Sequence, residues 1–168
     1  IVASVLEVVN AQLEMHPNDF GSLELAVSTY SRLQEYINVD QEVYATVVAR
    51  LAELAPSDPR VDILVAVFEL SIYRIESVDG DGSVYLERAK EALNKSIEKK
   101  KDFAPAYILY EQILQIEGNS EGALKKLEEY VVNVVALGGR IDGDVAILLA
   151  QNYLQLGRLD EASDVLDR

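Results

Sequence analysis

The clearest helical pattern of the chain lies between Asp144 and Leu166, DVAILLAQNYLQLGRLDEASDVL. Apolar residues recur there at helical spacing, so that they share one face of an α-helix. In the first half of the stretch these residues are Ala146, Leu149, Ala150 and Tyr153. Gly157 breaks the pattern, and Asp160 or its neighbour can cap a second segment with a new apolar face. The stretch therefore predicts two helices packed back to back across a tight turn.

Similar segments, bounded by proline, glycine and acidic residues, fill the rest of the chain. Proline cannot continue a helix, so Pro17 and Pro56 mark helix ends, while Asp58 followed by Pro59 is a start signal. Runs of valine are a counter-signal because β-branching disfavours helix, but they lie in segments rich in Ala, Leu and Glu. We therefore predict an all-α chain of about nine helices. Those before residue 144 cover 1–15, 20–36, 41–54, 59–77, 84–100, 106–117 and 120–137, the last capped by Ser120.

No break in composition divides the 168 residues, a length that suits one domain or a short repeat array. The chain begins at Ile1 without a methionine and stops at Arg168 inside an apparent helix. We expect a single repeat domain over 1–168 that is a fragment of a longer protein.

The composition argues against several kinds of partner. A net charge of −14 is unfavourable for nucleic acid and for anionic membrane surfaces, which both attract clustered Lys and Arg. No run of about 18 apolar residues is free of charge, so no membrane-spanning helix is predicted. The acidic surface serves solubility, or else it attracts a basic partner. The chain has no cysteine, which rules out disulfides and thiolate metal sites. We predict a soluble domain, with a cytoplasmic location slightly favoured.

Register counting relates the last hairpin to the segments before it. The hairpin carries a small residue, an aromatic, a glycine turn and a second small residue, at Ala150, Tyr153, Gly157 and Ala162. Gly118 and Ala123 repeat the last two with the same spacing, and Ala89 lies 34 residues before Ala123. This pattern resembles the tetratricopeptide repeat (TPR) family, whose period is about 34 residues. The resemblance covers the whole chain as degenerate repeats, and it is most specific from about residue 85 onward.

The repeats depart from the family pattern in two ways. Ala162 lies 39 residues after Ala123, so five residues are inserted between the last two repeats. Leu114 and Glu69 stand where the family has a signature tyrosine. The resemblance nevertheless implies antiparallel helix pairs stacked as a right-handed α-solenoid, because such pairs cannot bury their apolar faces alone.

In TPR proteins the first helices of successive pairs line a groove that holds an extended peptide. The resemblance therefore implies a protein-interaction scaffold, with a groove for a peptide or partner protein. The groove-facing residues would be Arg60, Ile63, Val67, Ile108, Gln112, Gln115, Ile147, Gln151 and Gln155, together with Ser28, Ser31, Arg32, Ser71 and Asp144. The glutamines can pair with a peptide backbone, or they are ordinary solvated helix residues. The Lys, Arg and Asn that bind chaperone C-terminal tails are mostly missing, so we expect no binding of such tails.

Two other functional roles remain open at this stage. The chain can be a soluble appended TPR domain of a larger bacterial enzyme, such as a membrane enzyme that polymerises or ligates polysaccharide, with no chemistry of its own. It can also be a structural spacer or a self-assembly unit. Both roles rest on analogy to the fold rather than on a motif.

The sequence predicts no catalytic, cofactor or metal site, and we expect no enzyme activity. His16 is the only histidine, at a predicted helix end, where a partner for the helix dipole is the favoured interpretation. Asp79-Gly80-Asp81-Gly82 suggests a calcium loop, but Ser77 and Arg88 then occupy places that need acidic ligands. A flexible capping turn explains the segment better.

Overall fold

The computed structural model describes residues 2–34, 36, 39–78 and 80–166, with side chains from Ser4 to Val165. Over these residues the chain forms helices and no strand, so the predicted all-α fold is confirmed. The nine helices of the described residues are α1 (Val2–Met15), α2 (Phe20–Leu33), α3 (Gln41–Leu54), α4 (Pro59–Glu76), α5 (Ser83–Lys99), α6 (Ala104–Ile116), α7 (Ser120–Ala136), α8 (Gly143–Gln155) and α9 (Leu159–Leu166).

Most helix ends lie within two residues of the predicted ones, and the differences have local causes. Helix α2 ends at Leu33 rather than at 36, and residues 35, 37 and 38 lie outside the described part. Helix α6 begins at Ala104 because Pro105 fits the first turn, where no N–H is needed. The predicted cap Ser120 is wrong, since Asn119 Oδ1 accepts the hydrogen bond from the N–H of Gly122 at 2.9 Å. Asp160 lies inside the first turn of α9, where its negative charge interacts favourably with the helix dipole.

Contacts between Cα atoms divide the chain into two compact units, Ile1–Ala92 and Leu93–Arg168. Each unit has its own core. The single repeat domain over 1–168 stays a prediction.

The core of the first unit is built around Tyr44. Helices α1 to α4 pack in chain order, and α2 also packs on α4. The Tyr44 ring is fully buried and meets the rings of Tyr30 and Phe68 edge to face, with centroids 5.5 and 4.7 Å apart. Its hydroxyl donates to the carbonyl of Val27 at 3.2 Å. Burial raises the pKa of Tyr44 to about 12, so the hydroxyl stays a hydrogen-bond donor.

The second unit packs α6 on α7, α7 on α8 and α8 on α9, and α6 also contacts α8. Glycine ends α6 and α8, as predicted, with Gly118 at φ 72° and Gly157 at φ 73°. This left-handed conformation favours glycine because it has no side chain. Beyond each glycine a backbone N–H turns back onto the helix, from Asn119 to Leu114 O and from Arg158 to Tyr153 O, both at 2.8 Å. The turns thus close the two antiparallel hairpins.

Glu69 is an acidic side chain in a place that favours an aromatic. Its side chain is 14% exposed, and the guanidinium of Arg88 is close to it, with Nη1 4.0 Å from Oε2. Burial raises the pKa of Glu69, and Arg88 only partly opposes the shift. Folding therefore favours the protonated carboxyl. The stability associated with this group is full below the unfolded pKa near 4.5 and is lost as the pH rises through the folded value.

We expect Glu69→Gln to raise the urea midpoint of unfolding at pH 7, because the neutral amide avoids burying a charge. At pH 4 the gain should shrink, since the wild-type carboxyl is then largely protonated in the folded state. Glu53→Gln, at an exposed position of α3, is the matched control and should change neither midpoint by much. A gain that is equal at both pH values would contradict the burial of a charge at Glu69.

Two leucines of α2 test the packing of the first unit. Leu23 is fully buried, whereas Leu25, two residues along the same helix, is 52% exposed. We expect Leu23→Ala to lower the free energy of unfolding by about 2–5 kcal/mol, and Leu25→Ala to change it by less than about 0.5 kcal/mol. Urea titration followed by circular dichroism measures both. Equal losses would mean that α2 presents a different face to the core.

Candidate functional site

A buried cluster of one carboxylate and two amides joins α6 to α8 in the second unit. Glu111 is 4% exposed and Asn152 is 2% exposed. Asn152 Nδ2 donates to Glu111 Oε1 at 2.9 Å. Gln115 Nε2 donates to Asn152 Oδ1 at 2.8 Å and to Glu111 Oε1 at 3.1 Å. We call Glu111, Gln115 and Asn152 the carboxamide cluster.

The two amides of the carboxamide cluster make further hydrogen bonds. Asn152 Nδ2 donates to the carbonyl of Leu148 at 2.9 Å, which fixes the amide on its own helix. The hydroxyl of Ser120, at the start of α7, donates to Gln115 Oε1 at 3.2 Å. Gln115 Nε2 also lies 3.5 Å from Gln155 Oε1. Because buried polar groups are costly unless they are hydrogen-bonded, these contacts define one arrangement of three helices.

The hydrogen bonds show that α6 and α8 run parallel in a fixed register. They join residues 37, 40 and 41 positions apart, and the positions along both helices increase together. The midpoint between 37 and 41 is 39, which equals the sequence separation of Ala123 and Ala162 in the last two repeats. Ile108 and Ile147, and likewise Gln112 and Gln151, are each 39 residues apart and so take equivalent places on α6 and α8.

Most of the sequence-predicted groove residues of the second unit remain accessible. Gln112, Gln151 and Gln155 are exposed, and Ile147 is 51% exposed. Ile108 is half-buried, and Gln115 is half-buried because it belongs to the carboxamide cluster. Asp144 is exposed in the first turn of α8. We call the accessible strip formed by Ile108, Gln112, Ile147, Gln151 and Gln155 the amide face.

In the first unit the predicted residues are differently engaged. The Arg60 guanidinium donates to the cap of its own helix, Asp58, with Nη2 2.7 Å from Oδ2. It also lies over the ring of Phe20, 4.5 Å from the centroid, and 3.9 Å from Glu24. The hydrogen bond to Asp58 is the main cause that raises the pKa of Arg60. Arg60 therefore ties the start of α4 to α2.

The other predicted residues of the first unit differ in exposure. Ile63 and Val67 are half-buried on α4, as are Ser28 and Ser31 on α2, whereas Arg32 is exposed. Ser71 is only 2% exposed, and its hydroxyl donates to the carbonyl of Phe68 at 2.6 Å. Ser71 therefore exposes little of its side chain, although it lines a pocket together with Ser31 and Gln34, and its groove position stays a prediction.

Sequence reasoning missed Glu111 and Asn152, the two buried members of the carboxamide cluster. A signal was present, because Glu111 lies four residues after Tyr107 and three before Leu114, which are both buried. A charged residue at that spacing shares the core face of its helix. Its partner on α8 could be identified only from the register between the helices.

The acidic turn before α5 has a structural role. Asp81 Oδ1 accepts a hydrogen bond from the N–H of Ser83 at 2.9 Å, and this bond lowers the pKa of Asp81. Such a bond is typical of a helix cap. Asp79 lies outside the described residues. Within the described part of the chain, no three His, Cys, Asp or Glu side chains are grouped to hold a metal ion, and no helix is both long and apolar enough to cross a membrane.

The carboxamide cluster should contribute to stability as a unit. We expect Glu111→Ala and Asn152→Ala each to lower the free energy of unfolding by about 1–3 kcal/mol, because each leaves buried partners unsatisfied. In the double variant the two losses should not add, with a coupling of about 0.5–3 kcal/mol. Gln112→Ala, at an exposed neighbouring position, is the control and should be nearly silent. Additive losses would show that the two side chains do not share a network.

Comparison with known proteins gives the fold of the chain. No protein-family model matches it, and no curated protein does. The structure of TTC0263, a thermophilic TPR protein of Thermus thermophilus, matches with a TM-score of 0.70 at 20% identity, over 98% of this chain and 79% of that one. A structure of MamA has a TM-score of 0.57 at 14% identity, over 99% and 85% of the two chains. A MamA RS-1 double mutant has a TM-score of 0.58 at 13% identity, over 99% and 82%. These similarities show a TPR-like helical fold for this chain.

Proposed function

We propose that this chain is a protein-interaction scaffold that binds an extended peptide segment of a partner protein on the amide face. The observation that carries the proposal is the pair Gln112 and Gln151, two exposed amides in equivalent places on parallel helices. The carboxamide cluster beneath them fixes the helices that carry them. The fold supports the same role, since TTC0263 is a TPR protein.

The chemistry of the amide face suits a peptide backbone. Each glutamine offers one carbonyl acceptor and two N–H donors, so it can pair with both polar groups of a peptide unit. Packed helices lie about 8–10 Å apart, and an extended chain rises about 3.3 Å per residue, so two such amides span about three peptide residues. Gln112 and Gln151 can therefore hold one short extended segment at two points.

The flanks of the amide face suggest what that segment contains. Ile147 is 51% exposed and Ile108 is half-buried at the equivalent place, which offers an apolar contact for an aliphatic side chain. Asp144, one turn before Ile147, is exposed and acidic. Together with the net charge of −14, it favours a segment with a basic residue beside an aliphatic one.

The residues of the amide face include no Lys or Arg, which supports the expectation that chaperone C-terminal tails do not bind. This expectation stays a prediction. The alternative role, as an appended domain of a larger bacterial enzyme, also stays a prediction. Sequencing the gene that encodes this chain would test it directly, because an enzyme domain in the same reading frame is required.

Selection from a random peptide library tests the proposed function. We expect peptides displayed on phage and selected on the purified chain to lose about 5- to 150-fold in affinity for the Gln112→Ala/Gln151→Ala variant, because each lost hydrogen bond is worth about 0.5–1.5 kcal/mol. Isothermal titration calorimetry with the synthetic peptides measures the change.

The matched control for this experiment is Asn94→Ala/Ser163→Ala, which truncates two exposed polar side chains on α5 and α9. It should leave the affinity unchanged, and the urea midpoints of both double variants should match that of the wild type. Full affinity of the selected peptides for Gln112→Ala/Gln151→Ala would contradict binding on the amide face.

A further inference from the structure

The second unit has another open surface, a cleft of about 290 Å³ between α7 and α9. Leu149 and Tyr153 of α8 form its floor, and Val131, Val132 and Val165 form its apolar walls. We call this surface the α7–α9 cleft. Its volume is at the lower end of the range for small-molecule sites, which suits a few inserted side chains better than a whole ligand.

The α7–α9 cleft is separate from the amide face. Leu149 and Tyr153 lie two residues on either side of Gln151, which is about 200° around the axis of an α-helix. The two surfaces therefore use opposite sides of α8. A partner in the cleft leaves Gln151 accessible, so the inference below does not rest on the proposed function.

An apolar strip on α7 extends the cleft along the helix. Val132 is 67% exposed and Val135 is 63% exposed, and they lie three residues apart. Residues at that spacing are neighbours on a helix surface. Glu128, one turn before Val132, lies on the same side of α7 and places a carboxylate at the end of the apolar strip. Together with the cleft, the strip forms an apolar groove between α7 and α9. Amphipathic helices of partner proteins bind in grooves of this kind.

Acidic residues outnumber basic ones around this groove. Those that line the cleft in the described part of the second unit are Glu128, Glu161 and Asp164. Arg158 offsets part of the charge, with Nε 2.9 Å from Glu161 Oε1, Nη1 3.9 Å from Glu128 Oε1 and the guanidinium carbon 4.6 Å from the centroid of the Tyr153 ring. The net charge around the apolar floor therefore remains negative.

Tyr153 fixes one of the acidic side chains at the edge of the cleft, Glu128. Its hydroxyl donates to Glu128 Oε1 at 2.9 Å, which holds the carboxylate at the edge of the cleft. Burial, and then the neighbouring carboxylate, raise the pKa of Tyr153 to about 12, so the hydroxyl is a hydrogen-bond donor to Glu128 at neutral pH. A fixed carboxylate loses less entropy than a mobile one when it binds a cation.

We infer that the α7–α9 cleft docks a short basic amphipathic helix of a partner protein. Aliphatic side chains of that helix, spaced three and four residues apart, enter between Val132 and Val165. Lys or Arg residues on its flanks lie over Asp164 and the fixed carboxylate of Glu128. The apolar contact supplies the affinity, and the charges set the preferred partner and the orientation.

A designed peptide and a single engineered cysteine test this inference. The probe is a 14-residue helical peptide with Leu at positions spaced three and four residues apart, Lys on the flanks and one cysteine at its end that carries thionitrobenzoate as a mixed disulfide, which the protein thiol displaces. The chain has no cysteine, so Val132→Cys places one thiol beside the cleft. Val8→Cys is the matched control, because Val8 is also a helical valine and is 69% exposed, against 67% for Val132.

We expect the peptide to form a disulfide with Val132→Cys at least ten times faster than with Val8→Cys. A peptide of the same composition with its Leu and Lys positions scrambled should lose this preference, which separates docking from general attraction to an acidic protein. Replacing Lys by Glu in the designed peptide should abolish it. Asp164→Asn in the Val132→Cys background should slow the reaction severalfold.

Three results would overturn the inference: equal rates at the two cysteines, an unchanged rate with the scrambled peptide, or an unchanged rate with the Glu peptide. Adding Gln112→Ala/Gln151→Ala to Val132→Cys should leave the rate unaltered. This last comparison distinguishes a failure of the cleft from a failure of the amide face.

Discussion

The buried carboxylate of Glu111 determines how α6 lies against α8 in the second unit. A carboxylate that is 4% exposed is strongly unfavourable unless hydrogen bonds replace the lost water. Asn152 and Gln115 supply those bonds from two helices, and both amides are themselves used elsewhere, on Leu148 and Ser120. A shift of one helix by a single residue would break several of these bonds at once. Apolar packing alone tolerates such shifts better, because it has no direction.

The helical fold could be derived from the sequence because its signals are local. Periodic apolar residues define the helices, and Pro59, Gly118 and Gly157 end or begin them for reasons of backbone geometry. The five-residue insertion before the last hairpin also followed from counting alanines. Predictions of finer details were wrong where two neighbouring residues share the same chemistry. Asn119 and Ser120 can both cap a helix, and the hydrogen bond from the N–H of Gly122 to Asn119 Oδ1 identifies Asn119 as the cap.

The candidate site was less predictable because its key contacts join distant residues. The sequence shows Gln112 and Gln115 as similar amides three residues apart, yet one is exposed and the other belongs to a buried cluster. The difference comes from Asn152, which is 37 residues away from Gln115. In the first unit, the role of Arg60 likewise depends on contacts that the sequence does not show. Its charge marked it as a residue for a partner, but Asp58 and Phe20 already engage it.

Helix α8 illustrates how one helix can serve two surfaces without compromising either. Gln151 is exposed on the amide face, which offers hydrogen bonds, and Leu149 and Tyr153 face the cleft, which offers apolar surface and negative charge. Asn152, between them, holds the helix to α6. Because the cluster is directional, a partner on one side gains contacts without rotating the helix, and the other side keeps its geometry. The physical expectation for this unit is thus two independent surfaces rather than one coupled switch, since coupling requires an element with two arrangements and the carboxamide cluster favours a single one.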